Sequence, residues 1–263
     1  MKFDYFDIHS HLDWESFDED REEIVADMRG QNIGTITVGV NLDKSRWAVD
    51  FTNHYDGIWA CIGMHPEPGD RQEWQEEDYQ QLIDSSQKVV AIGECGLDYL
   101  RINAGDRAEK KHQRDLFATQ IDFAVKNNLP VMVHSREATA EVIDILRVKK
   151  NEHGDSLHAH IHFYTEPVEV ARQYLDLGCT LSFTGVITFV PEYEELVKYV
   201  PLEMMMVETD SPFVAPAPKR GRRNDPRLVR YIAEQVCALR PEDDDVVKRA
   251  LLANTTRIFG IET

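Results

Sequence analysis

Asp7-Ile8-His9-Ser10-His11 follows directly on the apolar run Phe3 to Ile8 and places two imidazoles in one extended segment. Side chains two apart in a strand point to the same side, so His9 and His11 can offer two nitrogens to one cation without any loop closure. Similar groups recur at the carboxyl ends of later apolar runs: Glu94, His134, His162 and the triplet Glu208-Thr209-Asp210. Each has an ordinary structural explanation when taken singly. Glu94 could form a surface ion pair, His134 could cap a helix, His162 could be a satisfied core imidazole, and Asp210 could start the turn before Pro212. Four histidines and two carboxylates recurring together at strand ends are much harder to explain that way. A catalytic zinc typically takes three protein ligands and keeps a water, so six donors exceed the needs of one ion. Two ions about 3.5 to 4 Å apart, sharing a bridging carboxylate, would use them all. Such a pair activates water near neutral pH and stabilises both oxygens of a displacement, which makes phosphoester hydrolysis the leading reaction class.

The elements that must carry these groups alternate along the chain. Eight short apolar runs read as strands: Tyr5 to His9, Thr35 to Val40, Trp59 to Gly63, Val89 to Glu94, Val131 to His134, Ala159 to Phe163, Thr180 to Phe183 and Met204 to Val207. Between them lie helix-like stretches at Glu19 to Arg29, Ser45 to Asn53, Glu76 to Ser85, Arg107 to Asn127, Arg136 to Lys149, Pro167 to Leu177 and Glu192 to Lys198. Two more follow the last strand, at Pro226 to Leu239 and Pro241 to Asn254. This repeated βα pattern predicts an α/β chain folded as a (β/α)8 TIM barrel rather than an open doubly wound sheet. In a barrel the strand ends converge on one face, which would gather the polar groups. No Gly-x-Gly-x-x-Gly or Walker-type loop, internal repeat or linker-like tract interrupts the pattern, so residues 1–263 read as one barrel domain. The acidic patches at Asp18-Glu19-Asp20 and Glu242 to Asp245 read as helix starts, where negative charge suits the helix dipole.

Composition narrows the function classes. With 42% hydrophobic and 29% charged residues the chain can fill a core and is not disordered. The start of the chain lacks the features of a signal peptide, and no apolar run approaches a membrane span, so a cytoplasmic location without membrane partners is expected. Cys61, Cys95, Cys179 and Cys237 are far apart and lack Cys-x-x-Cys spacing, which argues against disulfides and cysteine zinc sites. The formal net charge of −18 opposes long-range attraction to nucleic acid, so any phosphate substrate must be met locally. Metal ions could supply that positive charge, as could the cationic stretch Lys219-Arg220-Gly221-Arg222-Arg223.

Along nearly its whole length the chain resembles the TatD-like metal-dependent DNases. The matching motifs are Asp7-Ile8-His9-Ser10-His11, Gly63-Met64-His65-Pro66, Ile92-Gly93-Glu94-Cys95-Gly96-Leu97-Asp98-Tyr99, His134-Ser135-Arg136, His162, and Glu208-Thr209-Asp210-Ser211-Pro212. Two closing motifs, Ala215 to Pro226 and Asn254 to Gly260, complete the ordered series. The resemblance implies an amidohydrolase-type TIM barrel, divalent metals and hydrolysis of nucleic-acid phosphodiesters, commonly as a 3′-5′ exonuclease. It also implies that His9, His11 and Asp210 hold one ion, that His134 and His162 hold the second, and that Glu94 bridges them. Asp210 would double as general base. His158 and His160 precede His162 at spacings of two, and the resemblance selects His162 because Tyr164 then falls on the family's Phe position. One departure follows at once: the family usually continues Cys-Phe-Ser/Thr-Gly, whereas this chain reads Phe163-Tyr164-Thr165-Glu166, which implies a shifted substrate preference.

Several residues remain as candidate substrate contacts. Arg136 could present a bidentate fork to a phosphate or be an ordinary first-turn helix residue. His65 could contact substrate or form a rigid turn with Pro66, and Arg101 is weighed the same way. Arg220 and Arg223, in the loop after the last strand, could grip a nucleic-acid backbone or belong to a solvated loop. Tyr99, Tyr164 and Phe213 could stack bases or simply pack. DNA ends or single strands are the expected partners. The alternative is a binuclear-metal hydrolase of a small-molecule or aminoacyl ester or amide, since the same ion pair can polarise a carbonyl. Such enzymes often carry a carboxylated lysine on strand four, where this chain has Glu94. A non-enzymatic barrel ranks last because every expected ligand is present. Histidine ligation suits zinc, manganese, cobalt or nickel, whereas the family's activity is often described with magnesium.

Overall fold

The computed structural model describes residues 2–67, 73–103 and 105–261. Eight parallel strands run in sequence order around a TIM barrel: β1 Tyr5–Ser10, β2 Ile33–Val38, β3 Ile58–Ile62, β4 Val89–Asp98, β5 Val131–Arg136, β6 Ala159–Ile161, β7 Thr180–Phe183 and β8 Met205–Val207. Nine helices alternate with or follow them among the described residues: α1 Arg21–Gly30, α2 Leu42–His54, α3 Glu76–Ser85, α4 Arg107–Lys126, α5 Thr139–His153, α6 Val168–Asp176, α7 Glu194–Tyr199, α8 Val229–Leu239 and α9 Asp244–Phe259. The seam between β8 and β1 is closed just beyond their ends, where Ser10 and Ser211 form a parallel bridge. The His11 amide donates to the Ser211 carbonyl at 2.8 Å, and the Asp210 amide to the His9 carbonyl at 2.9 Å.

Strand periodicity sorts the side chains. Along β5, Val131 and Val133 pack outward with the helices, whereas Met132 joins an inner cluster with Phe6, Ile8, Ile36, Val38, Met206, Phe259 and Ile261. In β8, Met205 and Val207 face the helices and Met206 the inner cluster. Continuing the period of two from Met132 and Met206 leads to His134 and Glu208, so apolar filling below gives way to polar groups above on the same strand face. The C-terminal helix contributes Phe259 to the inner plug and ends at Gly260, whose φ of 67° is the left-handed conformation that favours glycine.

Strand β4 departs from this regularity in a way that matters. Its pairing with β5 shifts between Ile92 and Cys95, the signature of a bulge, and Glu94 sits in the shifted segment. Gly93 and Gly96 flank it with φ near +150°, and a Cβ at Gly96 would lie 2.0 Å from the His134 carbonyl oxygen. Only glycine allows β4 to approach β5 this closely while turning Glu94 into the barrel.

Several element boundaries differ from the sequence expectation, and three have a plain structural reason. Strand β4 runs four residues past Glu94, to Asp98, because it resumes pairing with β5 after the bulge. Arg136 ends β5 instead of opening a helix, and α5 starts at Thr139. Helix α9 continues past Asn254 to Phe259 because the Asn254 amide group donates to the Leu202 and Met205 carbonyls at 2.8 and 2.7 Å instead of ending the helix.

Candidate functional site

The mouth of the barrel holds one buried carboxylate with different nitrogen neighbours on its two oxygens. Glu94 Oε1 lies 2.7 Å from both His134 Nδ1 and His162 Nε2, and 3.7 Å from His65 Nε2. Glu94 Oε2 lies 3.5 Å from His9 Nε2 and 3.9 Å from His11 Nε2. Those two nitrogens are 3.2 Å apart, and Asp210 Oδ1 completes the group at 3.4 Å from His11 and 3.7 Å from His9. His9, His11 and Asp210 form one constellation of metal-ligand geometry, and His65, Glu94 and His134 form another. The donor set is what a divalent cation needs, since it joins neutral imidazoles and carboxylates at short mutual distance in a buried pocket.

A surrounding set of hydrogen bonds orients these groups. His134 turns its Nε2 to Asp98 Oδ2 at 3.1 Å, which leaves Nδ1 for Glu94. Asp98 is held in turn by Gln113, which receives the Asp98 amide. His11 Nδ1 faces the Val38 carbonyl at 3.2 Å, fixing Nε2 toward His9. Glu208, fully buried, lies 3.5 Å from His162 Nδ1 and accepts the Phe163 amide at 2.5 Å. Asp7, also buried, accepts the amides of His9 and Thr209 and the Thr209 hydroxyl, so it ties the first strand to the last. Phe163 and Asp210 adopt left-handed backbone with φ of 48° and 52°, a conformation that costs about 1–3 kcal/mol in a non-glycine residue and clusters at functional sites.

Electrostatics follow from burial opposed by pairing. Burial pushes Glu94 up, but His162, His65 and His134 outweigh it and hold the carboxyl well below the usual range. Burial lowers His162 and His134, yet the neighbouring carboxylates raise both above the ordinary imidazole value. His11, desolvated but beside Asp210 and Glu94, is raised to about 9. Burial lowers His9, and it brings His65 down to about 3. His11, His134 and His162 therefore hold protons that a cation would displace, which makes metal uptake proton-linked.

Each residue singled out in the sequence has a definite place. His9, His11, Glu94, His134, His162 and Asp210 come together, and His65 joins them beside Glu94. His65 Nδ1 accepts the Glu67 amide at 3.0 Å, so Nε2 carries the proton and points at the cluster. His160 stays out of it, with its ring nitrogens on the Thr180 and Ser182 hydroxyls at 2.8 Å, inside the barrel. Arg136 is exposed at the end of β5, and Arg101 pairs with Glu67. Arg220 stacks on Phe189, its guanidinium 3.7 Å from the ring centroid. Arg223 is engaged by Asp20, the Ser16 carbonyl and the Phe17 ring. Glu166 accepts the Thr139 hydroxyl at 3.0 Å, tying the α6 approach to the start of α5.

Sequence reasoning gave no role to Asp98, Glu208 or Asp7 as supports, although all three lie in the quoted motifs. The signal for Asp98 is the Gly-x-x-Gly spacing of Gly93 and Gly96, which marks a bulge that lets a strand continue.

Comparison with known proteins gives the family and the fold. A family model described as TatD-related DNase matches residues 6–260. The chain belongs to that family. This TatD-family chain is 36% identical to the uncharacterized metal-dependent hydrolase YabD of Bacillus subtilis, an alignment covering 97% of the chain and 99% of YabD. It is 32% identical to the 3′-5′ ssDNA/RNA exonuclease TatD of Cronobacter sakazakii, covering 97% of each. Among solved structures, YjjV, a TatD homologue from Escherichia coli K12, superposes over the full length of both chains with a TM-score of 0.89 at 25% identity.

Proposed function

We propose that the chain is a divalent-metal-dependent phosphodiesterase, a 3′-5′ exonuclease acting on DNA ends or single strands. The observation that carries this reading is the division of Glu94, one oxygen toward His9 and His11 and the other toward His134 and His162. So divided, Glu94 would serve both ion sites at once. His9, His11 and Asp210 would hold one ion, His134 and His162 the other, with manganese, zinc or magnesium as the candidates. Two such ions supply Lewis-acid neutralisation of the phosphoryl oxygens and water acidified to near neutrality.

The protein's own groups have the following parts in this reading. Asp210, the least buried carboxylate of the cluster, accepts the proton of the attacking water as its oxygen bonds to phosphorus and one P–O bond breaks. His65 donates from Nε2 toward a phosphoryl oxygen. Asp98 and Glu208 hold His134 and His162 in position for the attack. Arg136, exposed at the rim, meets a neighbouring phosphate. Relatives named as single-strand exonucleases support the substrate class.

The test is a metal-reconstituted assay on 3′-recessed DNA, single-stranded DNA, RNA and a small phosphodiester, with Glu94→Ala and Asp210→Ala alongside. Cleavage of DNA by the wild type and its loss in both variants is expected. Unchanged rates in both variants would sink the proposed site. Hydrolysis of esters or amides without any phosphodiester cleavage would replace the substrate class.

A further inference from the structure

Two large aromatic rings stand exposed beside the His9–His11 side of the centre. Trp14 and Phe213 keep 42% and 41% of their surface open, and their rings meet edge to face at a centroid distance of 5.2 Å. The His11 ring lies 6.4 Å from Trp14 and 6.2 Å from Phe213. Their backbones, by contrast, are fixed. The Trp14 amide donates to the His11 carbonyl, and the Trp14 carbonyl receives the Phe17 amide and Arg21 Nη2. The Phe213 amide donates to the Asp210 carbonyl, and Asn224 Nδ2 holds the Phe213 carbonyl at 2.6 Å. Two further aromatics near the mouth are committed elsewhere: Tyr99 is buried with its hydroxyl on Glu141, and Tyr164 is buried with its hydroxyl on the Pro167 carbonyl.

These rings pack edge to face on each other yet keep surface open beside a charged cluster, where a flat ligand could lie against them. They lose little conformational freedom when a flat ligand arrives, since both loops are already held. We propose that Trp14 and Phe213 form a base-stacking subsite that holds an unpaired nucleobase while its phosphodiester lies at the His9–His11 side. This rests on the reading of the chain as a polynucleotide hydrolase and narrows it. Stacking tolerates any base, so the subsite selects strand state over sequence, favouring single strands and frayed ends whose base faces are free.

The subsite is read by binding, without turnover. Fluorescence anisotropy with manganese compares a labelled single strand carrying bases at its last three positions with the same strand carrying abasic tetrahydrofuran residues there. The wild-type protein, on strands whose last three linkages are phosphorothioate to suppress cleavage, is the parent, and Trp14→Ala, Trp14→Phe and Phe213→Ala are compared with it. The parent should bind the base-bearing strand between about 5-fold and about 100-fold more tightly than the abasic one, the range expected of base–aromatic stacking. Trp14→Ala and Phe213→Ala should abolish that preference while leaving abasic binding unchanged, and Trp14→Phe should keep most of it. No preference in the parent, or equal loss on both strands in the alanine variants, overturns the proposal. Turnover by the wild type is the separate readout for the exonuclease reading. A base preference without turnover sinks the exonuclease and leaves the subsite standing, and turnover without a base preference does the reverse.

Discussion

The two sides of Glu94 are assembled in opposite ways. His134 lies in β5 and His162 just past the end of β6, neighbouring strands that pair in regular register from Val131 opposite Ala159 upward. His9, His11 and Asp210 come from the first strand and the segment after the last, some 200 residues apart in sequence, and meet only because the barrel closes. Their supports differ as well. His134 is hydrogen-bonded to the Asp98 carboxylate and His162 lies 3.5 Å from Glu208, whereas His11 is backed by the neutral Val38 carbonyl; the Nδ1 atoms of His9 and His162 make no hydrogen bond among the described residues. A carboxylate behind an imidazole raises its basicity and locks its tautomer. The His134–His162 side is thus tuned by charge, and the His9–His11 side is positioned by the closing seam.

Glu94 belongs to both sides, so its removal is the largest perturbation. Glu94→Ala should lower kcat by on the order of 10⁴-fold, the scale seen when a central catalytic group is lost. Metal analysis of the same variant should show occupancy falling on both sides together. If one ion per chain remains at wild-type affinity, the carboxylate is not shared, and the comparison loses its pivot.

Breaking the seam should separate the sides. Asp7→Ala removes the acceptor of two amides and one hydroxyl, and leaves the buried Thr209 donors without a partner. Leaving such donors unpaired costs about 2–4 kcal/mol of stability, measurable by denaturant unfolding. Where the protein still folds, titration should show the His9–His11–Asp210 ion lost first and the other retained. Equal weakening of both ions would mean that closure positions the whole mouth, not one half of it.

The same division governs what could be read from the sequence. The His9–His11 pair was legible because a period of two in a strand suffices to place both rings on one side. Glu94, His134, His162 and Asp210 became legible once eight apolar runs implied a barrel whose strand ends converge. The supports were not legible, for a physical reason. Asp98 lies four residues beyond Glu94, past the end of the apolar run Val89 to Glu94, and only the resumed pairing with β5 after the bulge carries the strand that far. Glu208 and Asp7 act through partners fixed only by closure. Charge in loops is equally opaque, because Arg223 looks free until the fold brings Asp20 to it.

Removing a support from the charge-tuned side should cost less than breaking the seam. Asp98→Asn keeps the shape beside His134 Nε2 and removes the negative charge, and supports of this kind are worth 10–100-fold in metal affinity or activity, so a loss of roughly 10-fold is expected. It should fall on the ion held by His134 and His162, leaving the His9–His11 ion unchanged in the same titration. A loss confined to the His9–His11 ion would invert the assignment of the two supports.

The smallest effects distinguish the seam from the substrate path within one loop. Arg223 bridges that loop to Asp20 at the start of α1, and the pair is half-exposed, so Arg223→Ala should cost no more than about 1 kcal/mol in stability. Arg222, two residues before Asn224, has no carboxylate partner among the described residues, and with Lys219 and Arg230 it lines a pocket of about 320 Å³. In a chain of net charge −18, Lys219, Arg222 and Arg230, none of them in an ion pair among the described residues, are a place where an anionic backbone can be held against the general repulsion. Arg222→Ala should therefore weaken single-strand binding and reduce the slope of log affinity against log salt by about 0.7, the value for one phosphate contact on a single strand. Arg223→Ala should leave that slope unchanged while lowering the melting temperature. The reverse pattern, with the slope changed by Arg223→Ala and stability by Arg222→Ala, would place the strand over the seam itself. The closing contact and the substrate contact would then be the same.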